Sequence, residues 1–234
     1  MTDKGVCVYI KVCFERRTGF MFEVNIVPTG SMRVNCYILN DVATGLGAIV
    51  DPGGENPANG TERILNKCSA LGVKIVLILL THAHFDHMLS LADIRARTGA
   101  PLAVHRYDAE ALENPSLSYM KQFAGIDRPE KPAERLLEDG DIIEIGESKL
   151  TVMHTPGHTI GSVSYISEEP RFILTGDTLF AGSVGRCDLF GGDEMALHES
   201  LMKLKALPGN YTVLPGHGGS TDLQRERADN IFMK

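Results

Sequence analysis

Thr81-His82-Ala83-His84-Phe85-Asp86-His87 follows directly on the apolar run Lys74 to Leu80. A short run that is apolar on both faces reads as a strand buried between helix layers. Such a strand needs covering on each side, so the chain must fold as layered α/β structure. The strand also ends where three imidazoles and a carboxylate begin. A rigid strand end holds a loop while several side chains converge on one point, and this density of ligand-type groups is too high for one small cation. The pattern suggests two adjacent ions rather than a scatter of surface histidines.

Three further sites have the same setting. His158 stands in Thr155-Pro156-Gly157-His158-Thr159, just past the expected strand Lys149 to His154. Asp177 stands in Thr175-Gly176-Asp177-Thr178, at the end of Arg171 to Leu174. His217 stands in Pro215-Gly216-His217-Gly218, after Tyr211 to Leu214. Each time a strand runs out, a glycine permits a tight turn, and a metal-competent side chain follows. His105, His154 and His198 lie outside these motifs. His105 is expected to begin a helix, His154 to end a strand close to the site, and His198 to lie within a helix.

The remaining chain fits the same plan. Val6 to Phe14 and Phe20 to Val27 alternate apolar and polar residues around Arg16-Arg17-Thr18-Gly19, which suggests a hairpin or an upstream extension over residues 1–20. Residues 21–234 are expected to form a single domain. Val34 to Asn40 and Leu46 to Val50 read as strands, the second stopped by Asp51-Pro52-Gly53-Gly54. Pro57 to Leu71 and Ser90 to Thr98 read as helices, and Pro101 to Val104 as a short strand. Glu113 to Arg135 is irregular, broken up by Pro115, Gly125, Pro129 and Pro132, and long irregular segments inside a compact domain tend to be functional loops. Asp141 to Ile166 reads as strands and turns, Met195 to Leu207 as a helix, and Leu223 to Phe232 as a closing helix. Strands, helices, strands, helices in that order predict a four-layer αββα sandwich.

Composition narrows the function. The formal net charge is −7, which offers no basic footprint for a nucleic-acid backbone. The five cysteines, Cys7, Cys13, Cys36, Cys68 and Cys187, are odd in number and contain no CxxC pair. They read as thiols of a reducing, cytoplasmic compartment. No apolar run is long enough to span a bilayer, and no signal pattern opens the chain. The expected partner is a small molecule, with neither nucleic acid nor membrane.

The HxHxDH run, the distant His, then GD and GH, resemble the metallo-β-lactamase superfamily. The longer strings Thr175-Gly176-Asp177-Thr178-Leu179-Phe180 and Gly182-Ser183-Val184-Gly185-Arg186-Cys187-Asp188-Leu189 are similar to its glyoxalase II (hydroxyacylglutathione hydrolase) branch. This resemblance implies that His82, His84 and His158 hold one metal and that Asp86, His87 and His217 hold a second. Asp177 would bridge the two, and Asp86 and Asp177 would be the carboxylates of the reaction. Nitrogen and oxygen donors suit Zn first, with Fe or Mn as alternatives. A metal-bound hydroxide would then cleave a thioester, whose thiolate leaves without strong protonation. Arg186 is the candidate for an anionic part of the substrate, and Asp51 for a hydrogen bond to a ligand histidine.

The chain departs from full-length glyoxalase II in two respects. With only His217 to Lys234 in the last motif and after it, the C-terminal helical domain that grips glutathione in that family is not expected here. It also carries Gly218-Gly219-Ser220 where that family has an aromatic. Two enzymatic alternatives stay open at this point. One is a mononuclear-iron persulfide dioxygenase using His82, His158 and Asp177. The other is a lactonase or β-lactamase on the same fold. A metal-binding scaffold without catalysis is the reading from a different class.

Overall fold

The structure is a computed structural model that describes residues 11–12, 22–54 and 57–234. Seven strands form the first sheet in chain order: β1 (Lys11–Val12), β2 (Phe22–Thr29), β3 (Val34–Asp41), β4 (Leu46–Val50), β5 (Lys74–Leu79), β6 (Leu102–His105) and β7 (Arg135–Leu137). The first four pair antiparallel, and β4 to β7 run parallel. The change of direction follows from the connections, because parallel neighbours need a long crossover. Helix α1 (Pro57–Leu71) supplies the crossover between β4 and β5. Helices α2 (Phe85–Met88) and α3 (Leu91–Thr98) follow β5, and α4 (Ala109–Glu113) and α5 (Met120–Ala124) follow β6.

The second sheet holds β8 (Ile142–Ile145), β9 (Ser148–His154), β10 (Val163–Glu168) and β11 (Arg171–Gly176). A short ribbon of β12 (Leu179–Phe180) and β13 (Ser183–Val184) leads to α6 (Glu194–Ala206). Strands β14 (Thr212–Pro215) and β15 (Thr221–Asp222) complete the sheet in the order β15-β14-β11-β10-β9-β8, and α7 (Leu223–Asp229) closes the chain with a 3₁₀ turn at Ile231–Met233.

Alternation along the strands sorts the apolar side chains into three buried clusters. Phe22, Val24, Ile26, Tyr37, Leu39 and Val50 face Val152, Tyr165, Phe172 and Leu174 of the other sheet. The alternate residues Val27, Cys36, Ile38, Ile49 and Ile78 turn outward against Ile64 and Cys68 of α1 and Ile94 of α3. Ile166, Ile173 and Val213 meet Leu197, Leu201 and Leu204 of α6 on the far side. Three interleaved cores require four layers, so the αββα sandwich expected from the sequence is the fold. No described helix is long and apolar enough to cross a membrane.

Several expected boundaries shift. Lys11 and Val12 pair with Asn25 and Val24; the rest of the expected first strand, and the Arg16–Gly19 link, lie outside the described residues. His105 does not begin a helix. It ends β6, buried beneath the sheet edge, and the helix starts only at Ala109. The irregular segment 113–135 contains α5 and the first residue of β7. The closing helix stops at Asp229, where the Asn230 side chain accepts the amide of Phe232 and starts the 3₁₀ turn.

Candidate metal centre

Strands from both sheets end on one rim, and the loops that follow carry the ligand-type residues. Backbone contacts fasten the two sheets there. The Thr81 carbonyl accepts the amide of Val163 at 2.9 Å, and Asn35 donates its amide to the Gly216 carbonyl at 2.7 Å. The Tyr165 hydroxyl donates to the Leu80 carbonyl and the Tyr37 hydroxyl to that of Pro215, each at 2.6 Å.

All seven residues expected as ligands meet in one cluster. His82, His84 and His158 form one trio and Asp86, His87 and His217 another, while Asp177 groups with His82 and His87. In the first trio the His84 Nδ1 lies 2.9 Å from His158 Nε2, which is 3.2 Å from His82 Nε2. In the second, His217 Nε2 is 3.3 Å from both His87 Nε2 and Asp86 Oδ2. Asp177 stands between them, with Oδ1 3.4 Å from His87 Nε2 and Oδ2 3.7 Å from His158 Nε2 and 3.5 Å from His217 Nε2.

The outer ring nitrogens explain why these inner atoms suit a cation. His158 Nδ1 lies 2.7 Å from the Arg186 carbonyl, and His217 Nδ1 3.0 Å from the Met32 carbonyl. His87 Nδ1 faces the Asp51 carboxylate at 3.0 Å. His82 Nδ1 faces the Thr81 hydroxyl at 3.1 Å, and that hydroxyl already donates to Asp51 at 2.7 Å. Each partner can only accept, so each of these rings donates outward from Nδ1. In their neutral forms these rings would point their Nε2 lone pairs inward together. Four lone pairs and two carboxylates facing one another repel unless positive charge lies among them. Asp177 Oδ1 is also buried with no hydrogen-bond partner. The donor set therefore fits metal.

Electrostatics agrees. Burial, with the neighbouring imidazoles adding to it, pushes His82 well below the ordinary histidine value and His84 down to about 3. Burial also lowers His87, but Asp177, Asp86 and Asp51 more than offset it and hold that imidazole well above its usual value. Burial would raise the Asp177 carboxyl, yet His87, His158 and His217 keep it far below the carboxylate range. The clustered carboxylates thus favour positive charge at the centre.

Asp51 sits where expected, behind His87, with a left-handed φ of 51°. Arg186 is placed differently. Its backbone carbonyl holds His158, while its exposed guanidinium turns to Asp188 in a bidentate pair at 2.7 and 2.8 Å. That pair holds the Asp188 carboxyl down at about 2. His154 lies outside the cluster, its ring stacked on His105 at 4.1 Å with Nε2 2.9 Å from the Ile160 carbonyl.

The structure adds a residue that the sequence reading passed over. Asp108 is buried, and its carboxylate accepts the Ala83 amide at 2.9 Å, the Thr159 hydroxyl at 2.9 Å and the Gly161 amide at 2.8 Å. It ties the loop of His82 and His84 to the loop of His158. By position it reads as an ordinary helix cap for α4, yet its side chain makes no capping bond. Glycines complete the packing: a Cβ at Gly185 would lie 1.7 Å from the Asp177 carbonyl, and one at Gly216 would lie 2.2 Å from Asp177 Oδ1.

The sequence profile of the metallo-beta-lactamase superfamily matches residues 29–217, which spans every residue of the cluster. The chain belongs to this superfamily. Among curated proteins, its relatives include the probable metallo-hydrolase YqgX of Bacillus subtilis, 36% identical over 88% of this chain and 95% of that protein. The hydroxyacylglutathione hydrolase GloC of Haemophilus influenzae is 29% identical over 90% of this chain and 98% of its own. Among solved structures, the B3 metallo-beta-lactamase BLEG-1 superposes with a TM-score of 0.83 at 34% identity, covering 92% of this chain and 100% of its own. The chain is an enzyme of this metallo-hydrolase superfamily, and its His/Asp cluster is compatible with a binuclear metal site.

Proposed function

We propose that the chain hydrolyses a small-molecule thioester, in the manner of the glyoxalase II branch, with two divalent ions held by the seven clustered residues. The observation that carries the proposal is the position of Asp177 between two complete trios whose ring nitrogens are already turned inward. A mononuclear site needs only His82, His158 and Asp177; it leaves unexplained the carboxylate of Asp51 behind His87 and the Met32 carbonyl behind His217. The likeness to GloC and the strings Thr175–Phe180 and Gly182–Leu189 support a thioester as the bond cleaved.

When bound, such ions supply Lewis acidity, which brings a water toward ionisation at about pH 7 and polarises a carbonyl. The protein's part is positional. Asp51 holds His87 and the Thr81 amide together, Arg186 fixes His158 through its carbonyl, and Asp108 joins the two loops of the first trio. His82, His84 and Asp108 are buried, where fixed dipoles act more strongly than in water. A thiol with a pKa of about 8.5 leaves as thiolate, so no separate acid is required of the chain. Nitrogen and oxygen donors favour zinc, with iron or manganese next. The unpaired thiols of Cys36, Cys68 and Cys187 fit a reducing cytoplasm.

The test is a panel of acyl thioesters, lactones and β-lactams assayed beside an oxygen electrode with a persulfide substrate. Thioester turnover without oxygen uptake supports the proposal. Oxygen uptake on a persulfide without thioester turnover overturns it.

A further inference from the structure

A pocket of about 230 Å³ opens beside the second trio, lined by Met32, Val34, Phe85, Leu89 and Phe123, with Asp86 as a shared wall. It lies between the β2–β3 turn and helices α2 and α5. Its walls are mainly apolar, and two of them are large side chains left open to solvent: Phe123 is 63% exposed and Met32 51%. A mainly apolar recess with a polar group at one wall is the kind of concavity that takes the apolar part of a small ligand.

Two features tie the pocket to the metal centre. Met32, which forms its rim, holds His217 through its carbonyl at 3.0 Å. A line of rings also runs from the pocket to the first trio. Phe85 stacks on Phe123 at 5.2 Å, Phe123 lies 5.8 Å from Tyr119, and Tyr119 meets His84 edge-on at 5.7 Å. A molecule with its reacting bond at the ions can therefore lay an apolar group along these rings. The volume exceeds the roughly 150 Å³ of an apolar cavity that accepts benzene, so it suits a group of roughly six to eight carbons. The unbranched, polarisable Met32 side chain can adapt to either an alkyl or an aryl group.

We propose that this pocket binds an apolar group of the substrate, and so selects thioesters carrying a medium-length alkyl or an aryl substituent. The proposal rests on the thioesterase reading for the bond cleaved, and on the pocket alone for the apolar group.

Two thioester series separate the sources of that group: N-acetylcysteine thioesters from acetyl to octanoyl, and acetyl thioesters of butanethiol to octanethiol. A third series, S-butyl to S-octyl thioethers of N-acetylcysteine, reads binding by calorimetry without hydrolysis. For the wild type, kcat/KM in one thioester series, and affinity in the thioether series, rise by up to about fourfold per buried methylene, levelling near six to eight carbons. In Phe123→Ala and in Met32→Ala both slopes flatten. Both side chains are at least half exposed, so the variants retain the fold. Equal kcat/KM and equal affinity at every chain length, or unaltered slopes in both variants, overturn the proposal. Hydrolysis without a slope removes the pocket and leaves the thioesterase reading. A thioether slope without hydrolysis of any thioester removes the thioesterase reading and leaves the pocket.

Discussion

The Asp51 carboxylate lies 3.0 Å from His87 Nδ1 through one oxygen and accepts the Thr81 amide at 2.7 Å through the other. One side chain thereby fixes a ring of the second trio and the loop that begins the first. Its left-handed backbone, φ 51°, is what turns it inward from the end of β4. Partners of this kind behind a ligand histidine commonly change metal affinity by about 10–100-fold. Asp51→Ala is expected to weaken binding of the second ion within that range. It also leaves a buried Thr81 amide unpaired. Competition against a graded chelator measures the affinity. Wild-type affinity in the variant would show that Asp51 has no part in metal binding.

Gly185 and Gly216 press on Asp177 so closely that no side chain fits. Gly185→Ala would drive a Cβ into backbone, against the Asp177 carbonyl, and Asp177 must then move. A displacement of about 1 Å at a reacting site costs on the order of 10²-fold in rate. Thioester kcat/KM is expected to fall at least that far in Gly185→Ala. Gly219→Ala meets nothing within 4 Å and serves as the control, with rate and stability near wild type. Equal activity in the two variants contradicts the packing described for Asp177.

Much of this centre is legible in the sequence, for a physical reason. Metal ligands must be His, Asp or similar side chains, and they sit just past strand ends marked by apolar runs and glycines. Helix Pro57–Leu71 and strand β5 are legible because their periodicity is long or their apolar run unbroken. Asp108 was not, because an Asp before a helix looks the same whether it caps that helix or reaches across to Ala83 and Gly161. The carbonyls of Met32 and Arg186 act through backbone, which no residue type announces. Arg186 is itself instructive: its guanidinium, the group the sequence singles out, faces Asp188, and its carbonyl faces the centre. His105 followed by Arg106-Tyr107-Asp108-Ala109-Glu110 reads as a helix start, yet pairing with Leu137 of β7 keeps it in the sheet.

The Arg186–Asp188 pair is exposed, and exposed pairs are weak enough to open. An anionic substrate group can exchange for Asp188 at small cost. Arg186→Ala is therefore expected to raise KM for anionic thioesters by up to about fivefold and to leave KM for neutral ones near wild type. Asp188→Asn, which frees the guanidinium, should lower KM for the anionic thioesters. Steady-state kinetics on matched charged and neutral thioesters measure both. No difference between the two classes in either variant removes Arg186 from substrate binding.

Away from the centre, Asp41 joins the two sheets at their far end. Its carboxylate accepts the Thr44 amide and hydroxyl at 2.8 Å, the Glu147 amide at 3.0 Å and the Ser148 hydroxyl at 2.7 Å. Burial pushes its pKa up, but these four donors more than offset that and hold it below the ordinary aspartate value. A carboxyl lowered in the folded state contributes stability above its unfolded value and loses it as the pH falls through the folded one. Acidification below about pH 4 should thus destabilise the wild type through Asp41. Asp41→Asn should be less stable at pH 7 and lose less on acidification over the same interval. Chemical denaturation at a series of pH values reads this, and parallel stability curves would remove Asp41 from the acid response.

The most direct test of the two-ion centre is titration of metal-free protein with zinc, with thioester hydrolysis and bound metal read at each addition. Six donors around a shared Asp177 predict that hydrolysis climbs to its plateau only as bound zinc approaches about two per chain. In Asp177→Asn, occupancy of both positions should fall together. A plateau at one bound ion per chain, or full hydrolysis by an Asp177→Asn protein that still holds both ions, would contradict the account.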